Sequence, residues 1–185
     1  MSLPTDGLIV VAKRECPTCV LVEPLLDRLA QSHSALSILS QDDPTYGAHL
    51  PGSLHDASLE QSFALEIEIV PTLIRMHQGR EVDRTYGWDR TEWQRVSGIH
   101  DLGEDLPPLR PGCGSMTLEP GIAEQLAVRY GKARFGSRQI ELGDAEDPAE
   151  ACFERGWTDG LPVVPPTRER VLRMLSGTSR KADEV

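Results

Sequence analysis

The alternation of apolar and polar positions first marks out a strand and a helix near the N-terminus. Leu8-Ile9-Val10-Val11-Ala12 is an unbroken apolar run, the pattern of a strand covered on both faces. Beyond Cys16, apolar side chains recur at Val20, Leu21, Pro24, Leu25, Leu26 and Leu29, close to helical spacing. Pro24 lies inside this pattern and predicts a kink, because it removes one backbone donor. Between the two stands Cys16-Pro17-Thr18-Cys19. The order is a buried strand that delivers two thiols to the start of a helix.

The pattern then repeats with variations. Leu36, Ile38 and Leu39 predict a second strand over 35–40. Residues 41–57 carry Asp42-Asp43-Pro44, Gly47, Pro51 and Gly52, the composition of an irregular excursion. Ser58, with Gln61 three residues on, predicts a capped helix over 58–65. A loosely alternating stretch over 67–76 contains Val70-Pro71-Thr72; it is followed by a Gln78-Gly79 turn and a partner strand over 80–86, which together read as a hairpin. Residues 89–96 predict a closing helix. The sum is an α/β sandwich with a mixed central sheet.

Near residue 100 the character changes. Gly103, Pro107, Pro108, Pro111, Gly112 and Gly114 predict a linker over 101–118. The chain then divides into a first domain over 1–100, this linker, and a mostly helical and irregular C-terminal extension over 119–185, or the start of a further domain. Helices are expected over 122–130, 148–154 and 167–175, the last capped by Thr167, with a short strand pair over 134–142. The last ten residues read as a frayed polar end.

Composition narrows the function classes. The net charge is −10, and both the first hundred residues and the remainder carry more acidic than basic side chains. No basic stripe is available to neutralise phosphates, which disfavours nucleic-acid binding. No apolar run approaches the ~18 residues of a membrane span, and no basic segment followed by an apolar one marks a secretory signal. Of the four cysteines, Cys16 and Cys19 are adjacent in pattern while Cys113 and Cys152 are isolated. That is not a secreted disulfide scaffold. A reducing, cytoplasmic setting is expected, where a Cys-x-x-Cys means redox or metal chemistry.

Three features over residues 7–97 resemble thioredoxin-fold proteins: strand–Cys-x-x-Cys–helix at 8–29, Ile69-Val70-Pro71-Thr72 where that family carries its cis-proline, and Gly79, Gly87 and a helix where it has its final hairpin and closing helix. The resemblance implies a thioredoxin-like sandwich. The chain departs from that pattern in four respects: Glu15 replaces the usual tryptophan before the first cysteine, Val10 replaces the buried acid of many thioredoxins, Pro17-Thr18 stands where Gly-Pro is usual, and the span from Cys19 to Pro71 is longer, the excess lying in 41–57. Separately, Gly156-Trp157-Thr158-Asp159-Gly160-Leu161-Pro162-Val163-Val164-Pro165-Pro166-Thr167, with Arg170–Leu175, resembles the opening of UGSC-type, selenoprotein-related proteins. That resemblance adds no catalytic residue.

The thioredoxin resemblance implies a thiol–disulfide oxidoreductase in which Cys16 is the attacking thiolate, favoured at a helix start, and Cys19 resolves the mixed disulfide. Lys13 and Arg14 would favour the thiolate and Glu15 oppose it. Pro17, Thr18, Val70, Pro71 and Thr72 are the expected substrate-binding residues. Thr18 either donates to a sulfur or lies exposed. The expected partners are a disulfide-bearing protein or small molecule and either a reductase or a downstream domain, with no nucleic acid and no membrane. No cofactor and no metal are expected: a zinc site built on Cys16 and Cys19 needs two more ligands, and Cys113 and Cys152 lie at unconvincing spacing. Cys113 reads as a passive loop thiol or, alternatively, as an accessory thiol relaying electrons to or from Cys16. Cys152 reads as a core thiol. The histidines read as exposed loop residues, and Trp88 and Trp93 as core or rim of the closing helix. A non-catalytic thioredoxin-fold docking module is the alternative to the oxidoreductase.

Overall fold

The computed structural model describes residues 3–33, 35–131 and 138–180. The chain falls into two compact units that divide between Ile122 and Ala123. The first unit is built on a five-stranded sheet whose strands, from one edge to the other, are β3 (Ser53–His55), β2 (Leu36–Ser40), β1 (Gly7–Ala12), β5 (Thr72–His77) and β6 (Arg80–Tyr86). β1 pairs in parallel with β2, and β2 in parallel with β3. β5 runs antiparallel to β1, and β6 antiparallel to β5. This is the thioredoxin-like sandwich with a mixed sheet that the sequence implied.

β1 is central, which explains its unbroken apolar run: Leu8, Ile9, Val10, Val11 and Ala12 are all fully buried. The helical pattern after Cys16 is broken in two, α1 (Pro17–Val22) and α2 (Leu25–Ser32). Pro24 has no N–H to continue α1, and it becomes the residue from which α2 starts anew. Leu25, Leu26 and Leu29 of α2 join the same core as β1.

The 41–57 excursion contains an element that composition concealed. Its end forms β3, with Ile38 N–H donating to the Gly52 carbonyl at 2.9 Å. A Cβ at Gly52 would stand 1.8 Å from the Leu36 carbonyl oxygen. Gly52 therefore serves close backbone approach rather than a turn alone. The helix expected at 58–65 is shorter, α3 (Glu60–Ala64), and Ser58 does not cap it. The Asp56 carboxylate does so, accepting from Gln61 N–H at 3.2 Å and Ser62 N–H at 2.7 Å. The preceding Leu59 has φ 56°, so the chain turns back over Asp56 before the helix begins.

The hairpin and closing helix follow, with a two-residue strand β4 (Ile69–Val70) before β5. A short β7 (Trp88–Asp89) leads into α4 (Arg90–Ser97), where Asp89 accepts from Glu92 N–H at 3.1 Å as a true N-cap. α4 packs on β5 and β6. Trp88 and Trp93 are both fully buried, edge to face with ring centroids 5.4 Å apart.

The Gly- and Pro-rich stretch after α4 differs from a free connector. Leu102 is fully buried, Trp88 Nε1–H donates to the Pro107 carbonyl at 2.6 Å, and Arg90 N–H donates to the Pro108 carbonyl at 2.9 Å. β8 (Leu109–Arg110) pairs with β7, and β9 (Cys113–Gly114) pairs antiparallel with β4. A 3₁₀ turn over Met116–Leu118 closes the run, with the Thr117 hydroxyl donating to the Ile67 carbonyl. Composition signals flexibility, but main-chain pairing of this kind leaves no side-chain signature.

In the second unit, α5 (Ile122–Arg129), α6 (Pro148–Glu154) and α7 (Arg168–Ser176) match the expected helices, and Thr167 caps α7. Cys152 is buried on α6. Of the strand pair expected at 134–142, residues 134–137 lie outside the described residues and 138–142 form no strand. Among the described residues no helix is long and apolar enough to cross a membrane.

Candidate active site

The site begins where β1 ends. The loop Lys13-Arg14-Glu15 is held by one carboxylate: Asp42 accepts from Arg14 N–H at 2.7 Å and from Glu15 N–H at 2.9 Å. This fixes the approach to Cys16, whose N–H donates to the Lys13 carbonyl at 3.2 Å. Cys16 has extended backbone geometry at the N-cap of α1, and Pro17 takes the first helical turn, where its missing donor costs nothing. Cys19 lies one turn on, its carbonyl accepting from the Tyr46 hydroxyl at 2.7 Å and its sulfur from Lys13 N–H at 3.5 Å.

The Val70–Pro71 peptide bond is cis. Val70 is fully buried, and its carbonyl accepts from Cys16 Sγ at 3.5 Å when Cys16 is a thiol. The Thr72 hydroxyl turns away to the Ile69 carbonyl at 2.6 Å. The Thr18 side chain is neither exposed nor bonded to sulfur. It is buried, and its hydroxyl donates to the Pro111 carbonyl at 2.6 Å. Of the residues singled out from the sequence, Cys16, Cys19, Thr18 and Val70 therefore converge, while Pro17 points to solvent and Thr72 serves its own turn.

The two thiols sit in opposed electrostatic settings. Burial works against the Cys16 thiolate, but hydrogen bonds from the Cys113 thiol, the Cys19 N–H and thiol, and the Thr18 N–H outweigh it, and its pKa falls below the ordinary thiol value. For Cys19, burial dominates and the negative charge of Cys16 adds to it, so its pKa is driven far up despite the Lys13 N–H. Arg14 has other work than Cys16. It makes a bidentate pair with Glu23, lies 3.6 Å from Asp43, and stacks 5.0 Å over the Tyr46 ring. All four cysteines are free thiols. Among the described residues, no three His, Cys, Asp or Glu side chains are grouped to hold a metal ion.

Three contributors escaped the sequence reading. Asp42 looked like part of a breaker, and Tyr46 like loop. The strand carrying Cys113 looked like linker. Only the last had a local signal: glycines on both sides of a cysteine, at Gly112 and Gly114, permit close backbone approach.

No family profile matches this sequence. No curated relative matches it either. Among solved structures, similarity is found to a Malassezia sympodialis thioredoxin, Mala s 13 (16% identity, TM-score 0.36, covering 52% of this chain and 78% of that one). It is also found to Chlamydomonas reinhardtii thioredoxin f2 (16%, 0.37, 55% and 84%) and to oxidised Arabidopsis thaliana thioredoxin O1 (18%, 0.33, 55% and 78%).

Proposed function

We propose that this chain is a thioredoxin-like thiol–disulfide oxidoreductase that reduces or oxidises a protein or small-molecule disulfide through Cys16 and Cys19. The observation that carries this reading is the placement of two thiols one helical turn apart, with Cys16 at the start of α1 and against the Val70 carbonyl beside the cis Val70–Pro71 bond. Hydrogen bonds there favour the Cys16 thiolate and burial favours the Cys19 thiol. In the reductive direction, the Cys16 thiolate attacks one sulfur of the substrate disulfide. An S–S bond forms to Cys16, and the substrate's other sulfur leaves as a thiolate and takes a proton. Cys16 is then neutral, so one of the causes that kept Cys19 protonated is gone. Cys19 loses its proton and attacks Cys16 Sγ, releasing the second substrate thiol and leaving a Cys16–Cys19 disulfide. The substrate has gained two electrons, and a dithiol reductant restores the pair. The same steps in reverse oxidise a dithiol.

In this reading Thr18, Val70 and Pro71 border the pair, Pro17 offers an exposed edge to a partner and Thr72 holds the turn around Pro71. An extended partner would lie along β4. The chemistry suits the reducing, cytoplasmic setting expected from the cysteine pattern. Insulin reduction by the full chain with dithiothreitol tests it: turbidity develops with the wild type and drops to the dithiothreitol background with Cys16→Ser. Equal rates for the two would overturn the proposal.

Two observations favour the alternative of a non-catalytic docking module. Cys16 and Cys19 are both 0% exposed, and β4 is already paired with β9. Absence of Cys16-dependent exchange with insulin, dithiothreitol and glutathione alike would favour that module.

A further inference from the structure

We propose that Cys113 is a third redox thiol of this site, presented to Cys16 by a strand of the chain itself lying along β4, where an extended disulfide-bearing partner would lie. The inference rests on the reading of Cys16 as the nucleophile.

β9 runs antiparallel to β4 with Val70 opposite Cys113 and Ile69 opposite Gly114. Val70 is the residue whose carbonyl meets Cys16 Sγ. The position opposite Val70 is Cys113, and its thiol hydrogen-bonds Cys16. The strand is anchored on both sides of that cysteine. Upstream, the Pro111 carbonyl accepts from Thr18, one of the two residues between the active-site thiols. Downstream, Ser115 N–H donates to the Glu68 carbonyl at 2.8 Å, and the buried Ser115 hydroxyl accepts from Gln41 Nε2 at 2.8 Å. Approach is as close as backbone permits: a Cβ at Gly112 would stand 2.6 Å from the Val70 carbonyl oxygen and 2.5 Å from Ile69 Cγ2. The Cys113 thiol also acts on Cys16 electrostatically as a hydrogen-bond donor.

Exposure gives the arrangement a use. Cys16 and Cys19 are both sealed, whereas Cys113 is only half-buried. A sulfur at Cys113 is thus the one an external thiol can reach while the strand is in place. Starting from a Cys16–Cys19 disulfide, the Cys113 thiol loses its proton and attacks Cys16 Sγ. The Cys16–Cys113 bond forms as the Cys16–Cys19 bond breaks, and Cys19 leaves with the electron pair and takes up a proton. No electrons enter or leave the chain. An external thiolate that attacks Cys113 then frees Cys16, and a second external thiol resolves the adduct at Cys113. The sealed pair is thereby connected to solution through Cys113.

The test uses the full chain with Cys152→Ser, so that only site thiols report. Cys19→Ser and, as a second variant that keeps the buried position apolar, Cys19→Ala are equilibrated in a glutathione redox buffer containing about 0.1 mM reduced glutathione. Free thiols are trapped by alkylation and the disulfides mapped by mass spectrometry. A tethered thiol acts at an effective concentration on the order of millimolar, so the Cys16–Cys113 disulfide should exceed the Cys16–glutathione adduct by about tenfold. Adding Cys113→Ser should abolish the internal disulfide, so that any Cys16 still oxidised is the glutathione adduct. A Cys16–glutathione adduct that forms equally with and without Cys113, and no Cys16–Cys113 bond, overturns this inference and leaves the oxidoreductase reading standing. A Cys16 that takes up neither partner overturns both.

Discussion

Replacing Gly112 by alanine should unseal Cys16 without touching a thiol. The strand around Cys113 is held by Thr18 to Pro111, Ser115 to Glu68, Gln41 to Ser115 and the β4 ladder. At about 1 kcal/mol net for each hydrogen bond, the closed strand lies roughly 3–4 kcal/mol below the lifted one. An alanine Cβ at 112 would meet Ile69 Cγ2 at 2.5 Å and the Val70 carbonyl oxygen at 2.6 Å, well inside the 3.0 Å below which real Cβ atoms essentially never come. The second contact is with backbone, which has no rotamer to yield, so the strand must withdraw. Losing two of its bonds costs about 2 kcal/mol, and at about 1.4 kcal/mol per tenfold the lifted population rises roughly 30-fold. The assay is the rate at which iodoacetamide modifies Cys16 in the reduced full chain, read peptide by peptide. Gly114→Ala is the matched control, since a Cβ there meets nothing within 4 Å; its rate should stay within about twofold of wild type. A Cys16 rate unchanged by Gly112→Ala, or already equal to that of the urea-unfolded chain, would refute the claim that this strand seals the thiol.

Other outcomes follow from the same structure. The pH profile of Cys16 alkylation should have its midpoint below the ordinary thiol value of about 8.5, and Cys113→Ala should move that midpoint upward, because a donor to the thiolate is lost. Folding stability should respond to pH in two opposed ways. The lowered Cys16 pKa adds stability that is complete above about pH 8.5 and lost as pH falls through the folded value, while the raised Cys19 pKa removes stability as pH climbs beyond about 8.5. Urea midpoints across pH should therefore peak near there, with Cys16→Ser flattening the rising limb and Cys19→Ser the falling one. Asp42→Ala should lower stability by about 2 kcal/mol, since two backbone donors lose a charged acceptor in a partly solvated loop. Asp42→Asn, which keeps one acceptor oxygen, should lose less in the same urea titration. Trp88→Ala should cost about 3–5 kcal/mol by the same measurement, from the cavity left beside Trp93 and the Pro107 carbonyl.

How much of the fold was legible depended on how local its cause was. β1 announced itself because a central strand must be apolar on both faces. α4 was legible from Asp89 to Val96 because its cap and its buried Trp93 and Val96 lie within one short window. Pro24 predicted a kink because the missing N–H is a property of that residue alone; that the kink becomes a break into α1 and α2 was settled by the packing. β3 was hidden because three residues are too few to carry a period, and its glycine looked like turn chemistry. The α3 cap was misread at Ser58 because the residue that matters, Asp56, reaches forward past a left-handed Leu59.

For the site, the sequence by itself determined the chemistry available. A Cys-x-x-Cys at the start of a helix specifies two thiols one turn apart, and Pro17 suits the first turn whatever surrounds it. What the sequence left open was what faces those thiols, because that is set by contacts between residues far apart in the chain. Only tertiary structure put Val70 against Cys16, Asp42 under the loop before it, and Thr18 on Pro111. Only tertiary structure turned a Gly-Pro-rich stretch into a strand along β4, because the bonds that hold it are main-chain bonds, which any residue compatible with close approach can make. The spacing of Cys16 and Cys19 could be read directly; the place of Cys113 opposite Val70 exists only once β4 and β9 are paired.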